Sequence, residues 1–204
     1  MKKTFSVVAV MFMLLMLPGI SLSATTGPYI SAQLGGAYLT DSDYKEPVDY
    51  GTMEFKLGFA GGFAGGYNFG MFRVEGEIGY QRNEMDKASV CSGGGCISGT
   101  VSSSNMSALS GLANAYIDFV NSSPVTPYIS GGIGVAKIDL KISDTSFDST
   151  VFAYQVGAGV AFAINPHMSI DLKYRYFATA DPKQDFSTWT FASHNIYFGF
   201  RYNF

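Results

Sequence analysis

The chain has 204 residues, a formal net charge of −3 and a charged fraction of 14%. An average soluble domain has about 25% charged residues, so a mainly ionic surface is excluded, and the slightly negative charge argues against nucleic acid as a partner. The length is that of a single domain. The 24 glycines, 17 phenylalanines and 13 tyrosines favour a β protein with close backbone contacts.

The N-terminus has the pattern of a secretory signal peptide. Lys2 and Lys3 precede the apolar residues 7–17, and small residues follow, so cleavage is expected after Ser23 or Ala24. A membrane-spanning helix needs about 20 apolar residues, which neither this run nor any later stretch supplies. A mature chain embedded in a membrane must therefore form a closed barrel, because lipid cannot satisfy an open sheet edge. The predicted division is a signal peptide, residues 1–24, followed by one barrel domain, residues 25–204.

From Tyr29 onward, apolar residues alternate with small or polar residues, which is the period of a β-strand. The third segment is the clearest, with Phe72, Val74 and Ile78 set against charged residues on the other face. The last segment places apolar side chains at every second position up to Phe204. In chain order, the eight predicted strands are residues 29–39, 55–68, 72–82, 109–119, 129–136, 152–164, 170–176 and 194–204.

The connections between these segments alternate between tight turns and long loops. Short turns at one end, long loops at the other and strands of about ten residues are typical of a bacterial outer-membrane barrel. We therefore predict an all-β fold, an eight-stranded antiparallel up-and-down transmembrane barrel, with both termini at the short-turn, periplasmic end. The predicted turns are residues 68–71, 120–126 and 165–167, and the predicted extracellular loops are residues 40–54, 82–105, 139–150 and 178–190.

The second face of the strands distinguishes a membrane barrel from a soluble one. A soluble barrel of the lipocalin type turns its apolar face inward, and its other face is dense in Lys and Glu. Here the second face is mostly Gly, Ala, Ser, Gln and Asn, which suits a narrow lumen. Aromatic residues also gather at both strand ends, as in interfacial girdles. They are Tyr38, Phe55, Tyr80, Phe152 and Tyr176 on the long-loop side, and Tyr67, Phe72, Phe119, Tyr202 and Phe204 on the other.

Apart from Lys56 near the outer mouth, four cationic and four anionic side chains share the luminal parity. An eight-stranded barrel is only wide enough for side chains to fill. The charges are therefore expected to pair in one closing network, because an unpaired buried charge is costly. A gated narrow pore is the alternative. The predicted network consists of Arg73, Glu75, Glu77, Asp118, Asp171, Lys173, Arg175 and Arg201.

Cys91 and Cys96 flank a glycine-rich tetrapeptide in the second long loop. Export through an oxidising compartment favours a disulfide between them. A zinc site would need four ligands, and both histidines lie far away in the sequence. We therefore expect no metal and no cofactor.

Three stretches, AGGYNFGMFRVEGEIGYQR, ALSGLANAYIDFVNSSPVTPYISGGIGVAKI and FAYQVGAGVAFAINPHMSIDLKYRYF, resemble the small outer-membrane β-barrel superfamily of OmpA-type barrels, opacity-type adhesins and bacterial surface antigens. The resemblance covers nearly the whole mature chain and implies a location in the Gram-negative outer membrane. It also implies that Phe200, Tyr202 and Phe204 belong to the signal read by the outer-membrane assembly machinery. Functions in this group range over adhesion, antigen display, narrow-pore permeation and envelope anchoring.

Some barrels of this kind modify lipid A with a His-x-Ser arrangement at the outer rim, where His can activate Ser. His167 and Ser169 have that spacing but begin in a predicted periplasmic turn, and the adjacent Ser193 and His194 must point to opposite faces of a strand. We therefore expect no enzyme, but a surface protein with a structural, antigenic or adhesive role. A narrow porin-like pore is the alternative, and a lipid A-modifying enzyme comes third. The expected partners are outer-membrane lipid and lipopolysaccharide, the assembly machinery, and host or cell-surface ligands of the acidic long loops.

Overall fold

The computed structural model describes residues 25–40, 42–45, 49–92, 95–100, 104–142, 145–180 and 191–204, with residues 42–45, 49–55, 86–92, 95–100, 142 and 145–147 described by their backbone. The predicted signal peptide, residues 1–24, lies outside these ranges. Across them, no helix has the length and apolar character needed to cross a membrane. The described residues form eleven strands: β1 (Gly27–Leu39), β2 (Ser42–Lys45), β3 (Asp49–Phe55), β4 (Gly58–Asn68), β5 (Phe72–Ser92), β6 (Gly95–Thr100), β7 (Asn105–Asp118), β8 (Val125–Ile142), β9 (Thr145–Ala163), β10 (Met168–Thr179) and β11 (Ala192–Asn203).

Eight of these strands form a closed antiparallel barrel, as predicted. Strands β1, β4, β5, β7, β8, β9, β10 and β11 pair in that order, and β11 pairs with β1 to close the ring. At one end, β1 begins, β11 ends and three short turns connect neighbouring strands; we call this the terminus end. The opposite end, which carries the long connections, is the loop end.

The register of the strands sets the width of the barrel. Following partner residues once around the ring from Tyr29 leads back to β1 at Leu39, ten residues further along, by way of Gly66, Glu75, Asn114, Gly132, Gln155, Phe177 and Ser193. With about 3.3 Å per residue along a strand and about 4.8 Å between strands, this stagger gives a strand tilt of about 41° and a backbone radius of about 8 Å. Side chains alone can fill such a lumen.

Strands continue into three regions that the sequence analysis assigned to loops, and that assignment is corrected here. β5 runs to Ser92 and pairs with β3 and β6 beyond the barrel, and β8 and β9 form one hairpin up to Ile142 and Thr145. Outside the apolar band, the outward face of a strand no longer needs apolar residues. The alternation that marks a membrane strand therefore stops before the strand does.

The two faces of the barrel differ as the alternation predicts. The outward face carries large apolar side chains with high exposure, such as Phe63 at 75% and Leu34 at 72%. Exposed apolar surface on this scale marks a contact with another apolar phase. Aromatic side chains lie toward both ends of this apolar band, as in the girdles of a membrane barrel. The exposed members include Tyr38, Phe59, Tyr80 and Phe152 toward the loop end, and Tyr67, Phe72, Phe119, Tyr202 and Phe204 toward the terminus end. Of the other predicted members, Tyr176 is partly buried, and the side chain of Phe55 lies outside the described residues.

Two glycines of the barrel wall differ in the space around them, and we therefore expect different responses to substitution. At Gly35, on the seam between β1 and β11, a methyl group would overlap the Ile196 backbone carbonyl, whereas at Gly76 it would meet open space. We expect Gly35→Ala to lower the free energy of unfolding by about 1–3 kcal/mol, since a backbone atom cannot move aside cheaply. Gly76→Ala, the matched control, should stay within about 0.5 kcal/mol of wild type. Urea unfolding of the refolded barrels measures both, and equal effects would contradict the close approach at the seam.

Candidate functional site in the lumen

The eight predicted charges all face the lumen, in its half nearer the terminus end. Seven of them are buried, and Asp171 is partly buried. They point inward because successive side chains of a strand alternate between its two faces, and each charge is next to an exposed apolar residue. The register then decides which of these charges meet.

Arg73 and Asp118 form a two-point ion pair between the neighbouring strands β5 and β7. The Arg73 Nε and Nη2 groups donate to the Asp118 carboxylate at 2.6 and 2.9 Å. The same guanidinium lies over the ring of Tyr116, 4.3 Å from its centre, and near the ring of Tyr128. The two-point contact thus fixes the guanidinium and the carboxylate in one relative orientation.

Arg175 and Glu77 form a second two-point pair, which crosses the lumen. Both guanidinium contacts to the Glu77 carboxylate measure 2.7 Å. Three strands separate β5 from β10 in either direction around the ring, so the pair joins opposite walls. Asn114 also donates to Glu77, at 2.8 Å, and accepts from Gln155 on β9 at 2.6 Å. This layer spans the cross-section with a chain of hydrogen bonds.

Glu75 and Lys173 do not form a direct ion pair, which corrects the prediction of a network built from charges alone. The hydroxyls of Tyr29 and Tyr116 donate to Glu75 at 2.8 and 2.6 Å, and Asn114 donates at 3.1 Å. Lys173 Nζ donates to the Tyr116 hydroxyl at 3.4 Å and lies 5.7 Å from the ring centres of Tyr116 and Tyr197. Tyrosines therefore link the charges. Tyr116 and Tyr197 are not part of the predicted network, although the alternation along β7 and β11 places them on the luminal face.

Arg201 is the most loosely held of the luminal arginines. Its Nη2 lies 3.6 Å from Asp171 on the neighbouring strand β10, and its Nε and Nη1 have no hydrogen-bond partner among the described residues. The amide of Asn203, next but one along β11, is also buried and unpaired there. Two cavities of about 30 Å³ each lie against Arg201, one of them at the mouth formed by the turns of the terminus end.

The half of the lumen nearer the loop end is lined mainly by apolar side chains, for which the sequence analysis made no prediction. All members are buried, and the rings of Phe177 and Phe191 pack edge to face with centres 5.9 Å apart. Their inward parity and size could have revealed them. We call this group the apolar cluster: Leu39, Met106, Ala108, Leu112, Ala136, Ile138, Ala153, Phe177 and Phe191.

A neutral polar chain lines the remaining wall beside the apolar cluster. Ser193 donates to Gln81 at 3.1 Å, and Gln81 donates to Asn83 at 2.9 Å. Asn83 in turn donates to the backbone carbonyl of Ala37 at 2.8 Å. These groups satisfy one another and leave the loop half without the dense charge of the terminus half.

The remaining predicted sites fall outside the lumen. Cys91 and Cys96 are backbone partners in the β5–β6 hairpin. The disulfide stays a prediction, because the structure describes only the backbone at these positions. Within the described ranges, no group of three or more His, Cys, Asp or Glu side chains could hold a metal ion.

The two histidines bond to groups other than the serines considered for catalysis. A ring nitrogen of His167 lies 2.9 Å from the Asn203 carbonyl, while Ser169 is buried in the lumen. His194 bonds to the Tyr174 hydroxyl at 2.6 Å on the outward face, while Ser193 bonds inward. Neither candidate pair is arranged as a nucleophile with its base.

The predicted assembly signal forms part of the seam that closes the barrel. Phe200, Tyr202 and Phe204 point outward, and Phe204 is 61% exposed. The Phe204 amide donates to the Pro28 carbonyl at 3.0 Å, and its ring packs on that of Tyr202. Recognition by an assembly factor stays a prediction.

Comparison with known families gives one match over nearly the whole chain. A model of the outer membrane protein beta-barrel domain matches residues 7–204. An uncharacterized protein of Brucella suis biovar 1 is 28% identical over 197 residues, covering 78% of this chain and 68% of its own length. Outer membrane protein PagN of Salmonella typhimurium is 36% identical over 75 residues, covering 32% of this chain and 31% of its own length.

Two solved structures share the fold. The crystal structure of Neisserial surface protein A superposes with a TM-score of 0.60 at 21% identity, covering 87% of this chain and 97% of that protein. The outer membrane protein OprG from Pseudomonas aeruginosa gives a TM-score of 0.55 at 15% identity, covering 90% and 98%. At these identities the likeness is one of fold.

Proposed function

Because this chain belongs to the outer membrane protein β-barrel domain family, a family of the Gram-negative outer membrane, we propose that it is a non-enzymatic surface protein with a closed lumen. Its role is structural, antigenic or adhesive display. The strands that continue past the apolar band at the loop end support this role, since they extend the barrel as a platform. The termini lie on the periplasmic side and the long loops on the extracellular side, the usual orientation for short turns and long loops.

The ion pair between Arg175 and Glu77 carries the proposal of a closed lumen. It joins opposite walls of a barrel whose backbone radius is only about 8 Å, and its two side chains are 5% and 0% exposed. The pair thus narrows the lumen at its centre. The alternative of a narrow pore is supported by the loose contact of Arg201, which leaves cavities on the terminus side.

Two of the proposed partners meet the loop end of the barrel. Lipopolysaccharide in the outer leaflet would surround the loop-side aromatic girdle, where Tyr38 and Tyr80 are exposed. Host or cell-surface ligands would meet the acidic loops. The assembly machinery would read the terminal strand β11.

Surface display and closure can be tested together. An epitope tag in the β8–β9 hairpin should bind antibody on intact cells, whereas a tag in the turn at residues 165–167 should bind only after the outer membrane is permeabilised. Purified wild type in planar bilayers should show little conductance. Antibody binding to the turn tag on intact cells would reverse the orientation. A large, stable wild-type conductance would replace the closed barrel with the pore.

A further inference from the structure

We infer that the barrier to ions is the apolar cluster in the loop half of the lumen, and that the charged groups on the terminus side of the Arg175–Glu77 pair line a hydrated vestibule. This inference rests on the proposed closed lumen and says where the closure lies. The lumen then consists of two layers of different chemistry, an apolar barrier and a hydrated charged layer, and is not a single polar plug.

Unpaired polar groups in the terminus half require water. Buried polar atoms in proteins nearly always have a hydrogen-bond partner. Yet Arg201 is 4% exposed and has two unpaired nitrogens, and Asn203 is fully buried with both amide atoms unpaired. A polar cavity holds water once it exceeds about 10–15 Å³, and the two cavities against Arg201 have about 30 Å³ each.

Water can reach Arg201 from the terminus end. The cavity at the mouth is lined by Gly70 and Asn121 of the short turns as well as by Arg201. The second cavity continues upward past Arg73 to Glu75 and Lys173. Arg201 lies against both cavities, and its ion pair with Asp171 is long, at 3.6 Å. The terminus half is therefore polar and holds space for water from its mouth up to Lys173.

Hydration stops at the boundary with the apolar cluster. The cavity there has about 10 Å³ and lies between Arg175, Tyr197 and Phe177, so it is at the lower limit for one water molecule. Above it, the apolar cluster draws on β1, β7, β8, β9 and β10 and on Phe191 beside β11, and every member is at most 5% exposed. A narrow apolar passage excludes water and ions because it offers them no hydrogen bonds.

Unpaired atoms in the loop half are of a different kind. Among the described residues they are single oxygens, of Asn195, of Gln155 at the boundary and of Ser104 just before β7. The other polar groups on that wall are bonded to one another, through Ser193, Gln81 and Asn83. Because these donors and acceptors are bonded to one another, this wall offers a passing ion few free hydrogen-bonding groups.

Conductance of refolded full-length variants in planar bilayers tests the inference. Arg201→Ala should conduct no more than wild type. The near-isosteric polar variant Leu39→Asn/Met106→Gln/Ile138→Asn should conduct severalfold more, while its apolar control Leu39→Met/Met106→Leu/Ile138→Met should not. Conductance raised by Arg201→Ala would overturn the inference, as would a folded polar variant that stays at wild-type conductance. Free conduction by wild type itself would instead overturn the proposed closed lumen.

Radiolytic hydroxyl labelling of wild type gives a second test that does not depend on the folding of a variant. Radicals formed from bound water modify the aromatic side chains beside it. Tyr29 and Tyr128 should be modified, and Phe177 and Phe191 should be protected. Equal modification of the two pairs would place water in both halves and overturn the inference.

Discussion

Arg175→Ala should lower the free energy of unfolding of the barrel by about 3–5 kcal/mol, because it strands a buried carboxylate. The side chain of Glu77 is 0% exposed and receives both of its shortest contacts, at 2.7 Å, from Arg175. Asn114 would be its only remaining donor among the described residues. Reversible urea unfolding in lipid vesicles, followed by tryptophan fluorescence or gel mobility, measures the change.

Two control variants separate the ion pair from a general loss of charge. Arg201→Ala should cost only about 1–2 kcal/mol, because the one described ion pair of Arg201 is long and joins it to a partly exposed carboxylate. The double replacement Arg175→Met/Glu77→Leu should recover most of the stability, since apolar residues of similar volume can replace a buried pair. If Arg175→Ala and Arg201→Ala lower the free energy of unfolding equally, the pair across the lumen is not the main stabilising ion pair.

Phe204→Ala should sharply lower the amount of assembled protein in cells while leaving the refolded barrel about as stable as wild type. The ring is 61% exposed, and its described ring contact is with Tyr202. The backbone bond from Phe204 to Pro28 survives the substitution. Little folded-state stability therefore depends on the ring, whereas a recognition signal would depend on it entirely. Outer-membrane fractionation and urea unfolding measure the two quantities.

Phe119→Ala is the matched control for the terminal residue. Phe119 is an exposed aromatic residue at the same end of the barrel, 51% exposed, but it follows β7 rather than the last strand. Its replacement should leave assembly near wild type. Similar losses for Phe119→Ala and Phe204→Ala would assign the effect to the aromatic girdle. A normal cellular level of Phe204→Ala would show that the signal does not need the ring.

The face that each barrel side chain occupies could be predicted from local chain geometry. Phe72 points outward and Arg73 inward because successive residues of a strand alternate. The eight strands could also be predicted, from the alternation that continues up to Phe204. Their closure could be predicted because lipid cannot satisfy an open sheet edge. The ends of the strands at the loop end could not be predicted. Beyond the membrane, β5 and the β8–β9 hairpin no longer carry an apolar outward face, so their sequence no longer signals a strand.

Side-chain parity alone determined that charged groups would share a narrow lumen and that they would need partners. Only the tertiary structure decided the partners. Glu77 and Arg175 are 98 residues apart in sequence and meet because ring closure with a ten-residue stagger brings their strands to opposite walls at one height. Glu75 meets tyrosines for the same reason. The division of the lumen into a charged half and an apolar half depends on the same register, since the depth of a residue is set by the tilt of all eight strands together.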